Sequence, residues 1–83
     1  MKYFVYVIQS LKNGQLYKGM TTNVEVRLNE HNTGRSFSTK FGIPWELVYV
    51  EEFENGLSAR KHEKYLKSGR GRAFLKNKLN GLG

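Results

Sequence analysis

Eighty-three residues, none of them cysteine, suffice for one domain with a modest core and exclude disulfides and thiolate metal sites. Fourteen Lys and Arg oppose seven acids, all glutamate, for a net charge of +7, while 39% of the chain is apolar, so the composition is that of a folded basic protein and not a disordered one. No stretch is long enough to span a bilayer and the N-terminus lacks a signal-peptide plan, so a soluble cytoplasmic protein is expected.

Residues 3–9, YFVYVIQ, are aromatic and β-branched at both parities, which predicts a central strand covered on both faces. Asn13-Gly14 predicts a two-residue hairpin of type I′, and residues 15–20 return antiparallel. That turn sets Lys12 opposite Gln15 and Ser10 opposite Tyr17. Tyr6 shares the parity of Ser10, so Tyr6 and Tyr17 point to one face; a one-residue slip separates them. Thr22 to Glu25 has the form of a capping box and opens a helix to about Thr33, with Gly34 at C′. Val24 and Leu28 are its apolar positions. Arg27 and His31, one turn apart, lie at the edge of that stripe and face partly inward.

Residues 34–44, rich in Ser, Thr and Gly with two Phe, predict a loop that covers a site or holds a phosphate. WELVYVEEF, residues 45–53, is the third strand, its acidic end toward water. Asn55 caps a second helix through about Lys67, with Ala59, His62, Glu63 and Leu66 on one stripe. Glu63 is thus an inward acid on a basic helix, a position that demands a cation or a metal as partner. Ser68 to Arg72 is expected to break this helix. Phe74, Leu75, Lys78, Leu79 and Leu82 then form a short third one.

The charge is segregated. Eight bases lie between Arg60 and Lys78, with Glu63 the single acid among them. Such a tract suits a polyanion, most often nucleic acid; its other reading is a solvated helix face. No Ser/His/Asp set, phosphate loop or zinc set is present. Two tyrosines, an Arg/His pair and an inward glutamate instead suit metal-assisted phosphodiester hydrolysis. A single carboxylate holds Mg²⁺ when water and phosphate oxygens complete the shell, and Arg suits charge building on a phosphodiester. An ordinary phenol, with pKa about 10, is ionised to about one part in a thousand at neutral pH, whereas an imidazole near 6.5 is ready as it stands. On that ground His31 is the better base.

The ordered set resembles the GIY-YIG nuclease family, in its small stand-alone members. Phe4-Val5-Tyr6 corresponds to the first motif and Tyr17-Lys18-Gly19 to the second. Arg27 stands at the family's arginine, His31 follows one turn later, and Glu63 falls in the stretch that holds the metal-binding glutamate. Pro44 to Tyr49 and Tyr65 to Gly71 also resemble small members, and the likeness covers nearly the whole chain, residues 1–83, as one domain. Phe4 and Lys18 depart from the family's glycine and isoleucine.

The resemblance implies an α/β fold, a three-stranded antiparallel sheet flanked by helices. It also implies an endonuclease using one divalent metal, Mg²⁺ or Mn²⁺, on DNA, with branched or damaged DNA in repair or recombination as the substrate setting. By the same resemblance Tyr6 or Tyr17 is the base, Arg27 stabilises the transition state, His31 assists and Glu63 holds the metal, so the choice between a tyrosine and His31 as base stays open. Lys18, Arg35, Lys40, Arg60, Lys67, Arg70 and Arg72 are expected at the nucleic-acid backbone. The alternatives are a binding module without catalysis and an RNA substrate. No separate recognition domain is visible, so a protein partner that supplies specificity is expected.

Overall fold

Large side chains at both parities make strand β1 (Tyr3–Ser10) the middle of the sheet, with Val5, Tyr6, Val7 and Ile8 all buried. The computed structural model describes residues 1–80. In it β1 pairs antiparallel with β2 (Leu16–Thr21) and β3 (Trp45–Phe53) in the order β2-β1-β3. Helices α1 (Val24–Asn32), α2 (Gly56–Lys67) and α3 (Gly69–Asn80) flank this sheet as the sequence predicts.

The sheet parity sorts the core into two clusters. Val5, Val7 and Tyr49 pack against Ala59, Leu66 and Leu75 from α2 and α3. Tyr6, Ile8 and Trp45 pack against Leu28 of α1 and against Ile43 and Leu47. Helix α1 therefore covers one face, α2 and α3 the other, and β2 is left as an edge. The register jumps between Val7, opposite Tyr49, and Ile8, opposite Leu47. This bulge lets the adjacent Val48 and Tyr49 face the same cluster, while Leu47 faces the other.

The hairpin is not the predicted two-residue turn. Ser10 pairs with Gln15, and Tyr17 stands opposite Ile8, not Ser10. Gly14 has φ +77°, but among the described residues none other than glycine has a positive φ, so Asn13 lacks the conformation that type I′ requires. The buried Ser10 hydroxyl is the reason. It accepts from the amides of Lys12 and Asn13, both at 3.1 Å, and donates to the Gly42 carbonyl at 2.6 Å. The slip is two residues, so Tyr6 and Tyr17 still share a face.

Asn23, not Thr22, caps α1, accepting from the Val26 amide at 3.1 Å. Asn55 caps α2 as predicted, accepting from Ser58 at 2.8 Å. The expected loop over 34–44 contains a 3₁₀ segment, Phe37–Gly42. The break after α2 is a single residue, Ser68, and Gly69 to Arg72 already lie in α3. The Ser68 hydroxyl accepts from the Gly71 amide at 3.2 Å, which starts the new helix at once. A Cβ on Gly71 would lie 1.9 Å from the Tyr65 carbonyl oxygen, so only glycine permits this sharp corner. Leu82, expected in the third helix, lies outside the described residues. No helix among the described residues is long and apolar enough to cross a membrane.

Candidate active site

Tyr6 points from the central strand toward α1 and crosses the edge strand at Gly19. A Cβ there would lie 2.5 Å from the Tyr6 hydroxyl, so the glycine makes room for the phenol. The hydroxyl is 2.8 Å from His31 Nε2. His31 Nδ1 is 2.7 Å from Thr39 Oγ1, and that hydroxyl also approaches the Ser36 carbonyl at 3.4 Å. With Thr39 donating to Ser36, its oxygen accepts from the Nδ1–H, and the Nε2 lone pair faces the Tyr6 hydroxyl. His31 was expected at a stripe edge; it is fully buried at 0% exposure, because Tyr6 and Thr39 satisfy both ring nitrogens. The Tyr17 ring meets His31 edge-on at 5.0 Å and Tyr6 at 6.5 Å.

Burial and the nearby Arg27 guanidinium hold His31 below the usual histidine range, so it is neutral at pH 7. Burial pushes Tyr6 up to about 12, with Tyr17 and Glu63 adding to the rise and Arg27 opposing it. Arg27 is itself fixed by Glu30 at 3.0 Å.

Glu63 arrives from the other face of the sheet. It nevertheless lines one polar pocket of about 300 Å³ with Tyr6, Tyr17, Gly19, Met20, Arg27, Arg60 and Lys67. The edge position of β2 lets side chains from both faces meet there. Lys67 lies 3.3 Å and Arg60 3.8 Å from the Glu63 carboxylate, which is 16% exposed. Among the described residues, no three His, Cys, Asp or Glu side chains gather to hold a metal. Glu63 is thus the protein donor available in the pocket. One hard oxygen donor beside a polar space wide enough for several waters fits Mg²⁺ or Mn²⁺ and does not fit zinc.

Beside the pocket, burial and the charges of Arg72 and Lys67 lower the Lys18 pKa, so three bases crowd one region. Arg35, Lys40 and Arg70 are exposed and do not line the pocket. His62 lies outside it as well, 2.9 Å from the Tyr49 hydroxyl and stacked on Tyr65. Phe4 lines a separate apolar pocket with Val24, Leu47 and Val50. Thr39 was not foreseen, because a 3₁₀ segment carries no periodicity to mark an inward residue.

A family model described as the GIY-YIG catalytic domain matches residues 2–80. The chain belongs to the GIY-YIG family. A UPF0213 protein of Staphylococcus haemolyticus is 40% identical over 68 residues, covering 81% of this chain and 82% of that protein. One from Natronomonas pharaonis is 40% identical over 67 residues, covering 80% and 78%. The solution NMR structure of a UPF0213 protein from Bacillus halodurans is similar at a TM-score of 0.56 and 30% identity, covering 93% of this chain and 84% of that one. The GIY-YIG domain places the chain in a nuclease family, for which DNA is the implied substrate.

Proposed function

We propose that this chain is a divalent-metal-dependent endonuclease that hydrolyses phosphodiester bonds in DNA, with the Tyr6–Tyr17–Arg27–Glu63 pocket as its active centre. The observation that carries the reading is the hydrogen bond from the Tyr6 hydroxyl to a buried, neutral His31 at the wall of a pocket that also holds Arg27 and Glu63. Glu63 is the residue to hold Mg²⁺ or Mn²⁺. Such an ion, when bound, polarises the phosphate and acidifies a coordinated water.

Magnitudes favour a shared role over a lone base. Ionising Tyr6 outright at pH 7 from a pKa of about 12 costs on the order of 7 kcal/mol. A preformed phenolate is therefore a poor choice. His31, sealed from solvent, does not reach water directly. Acting together they avoid both problems. As water attacks phosphorus, its proton passes to the Tyr6 oxygen while the Tyr6 proton passes to His31 Nε2. Thr39 Oγ1, accepting from Nδ1–H, steadies the imidazolium that forms. Arg27 faces the charge growing on the phosphate oxygens, and Tyr17 donates to the same group. Lys18, Arg60, Lys67 and Arg72 follow the neighbouring phosphates.

Branched and linear DNA incubated with purified protein and Mg²⁺ or Mn²⁺ tests this reading. Cleavage by the wild type, none by Glu63→Ala and none with a chelator are expected. Equal cleavage by wild type and variant contradicts the site. A second reading rests on the Glu63 ion pairs: a carboxylate spanned by Arg60 and Lys67 is already neutralised without metal. A pure binding module then results, in which DNA binds without metal and is never cut.

A further inference from the structure

Phe37 and Phe41 are 77% and 71% exposed on the 3₁₀ segment, an unusual place for large aromatic rings. They are not left at random. The Lys40 ammonium lies 5.0 Å from the Phe37 centroid and 5.1 Å from the Phe41 centroid, so two rings bracket one cation. Residues 34–44 contain no acid, and Arg35 adds a second exposed base.

The base under these rings is firmly anchored. Thr39, between them in sequence, is buried and bonded to His31. Its carbonyl accepts from the Trp45 indole at 2.8 Å, and the Gly42 carbonyl accepts from Ser10 at 2.6 Å. The rings are thus displayed from the same short segment that supports the Tyr6–His31 pair.

We propose that Phe37, Lys40 and Phe41 form a stacking platform for unpaired nucleobases beside the bond to be cut. Exposed aromatic faces with a cation between them match single-stranded nucleic acid, whose bases offer free faces and whose phosphates offer charge. Blunt duplex offers only the phosphates. The substrate of the pocket is then DNA with a single-stranded or splayed segment next to the scissile phosphate. This placement of the cut rests on the nuclease reading; the capture of bases does not.

Fluorescence anisotropy in chelator, where nothing is cleaved, tests it. The probes are a short oligothymidine, an abasic strand of equal length and a blunt duplex. The Phe37→Ala/Phe41→Ala double variant should bind oligothymidine about tenfold more weakly than wild type, and the other two probes within about twofold. Both residues are exposed, so the variant should fold. Equal losses on all three probes overturn the platform. Unchanged affinity for oligothymidine also overturns it and leaves the rings to a protein contact. Failure of the nuclease reading shows separately, as absence of cleavage by wild type with metal present.

Discussion

The Tyr6 hydroxyl is held by His31 Nε2 at 2.8 Å, and the imidazole itself is buried away from solvent. Its neutral form is therefore the working form. Burial and Arg27 lower the His31 pKa from 6.5, so kcat/KM should rise with pH along an acid limb whose midpoint lies below that value. A midpoint above neutrality contradicts the relay. The same shift sets a stability slope. Below the unfolded pKa of about 6.5 the unfolded chain binds a proton that the native chain resists, so stability falls as pH drops toward the depressed native value. His31→Gln should flatten that slope in denaturant titrations at a series of pH values. At this scale the sequence was informative where positions follow short periods. Tyr6 and Tyr17 follow from strand parity, and Arg27 and His31 from helical spacing. Thr39 and Ser10 were not legible, because each acts through a tertiary hydrogen bond that no local pattern announces.

Two elements meet at glycines for the same physical reason, yet the consequences differ. At Gly19 the crowding partner is the end of a side chain, the Tyr6 hydroxyl and the ring carbon that bears it. At Gly71 it is backbone, the Tyr65 carbonyl and the Leu66 Cα. A phenol tip yields more easily than a helix corner. Gly19→Ala should therefore displace Tyr6 and lower cleavage at least tenfold, with a smaller loss of stability than Gly71→Ala. Gly71→Ala should cost about 1–3 kcal/mol or more, by opening the α2–α3 corner. Cleavage rates and urea midpoints for the pair check this; a reversed pattern contradicts the assignment. The start of α3 at Gly69 escaped the sequence reading because two glycines in five residues resemble a linker. Ser68 turns them into a helix start instead. The hairpin register differs from the expected one by two residues, and the even number is why Tyr6 and Tyr17 still share a face.

Across the whole molecule the charges divide. Glu52 and Glu54 lie near Lys2, while Arg60, Lys67, Lys18 and Arg72 gather around or beside the pocket. If these four follow phosphates, binding to duplex DNA should weaken with salt at a log–log slope of about −3 to −4, and Arg72→Ala should reduce its magnitude by about 1. A slope near zero contradicts the assigned track. That α1 and α2 cover opposite faces, and that their polar groups still meet across edge strand β2, was beyond sequence patterns. Periodicity gives the inward side of a helix but not the face of the sheet it covers. Arg27 and Glu63 converge because the edge strand leaves an opening between the layers, and a central strand would have kept them apart.

Single-turnover cleavage of DNA by Tyr6→Phe, with affinity measured on the same substrate, is the most direct test of the proton path through the pocket. The ring packing is retained and only the hydroxyl is lost. A rate at least about 100-fold below wild type at unchanged affinity is expected. A rate equal to wild type would show that the proton leaves by another route.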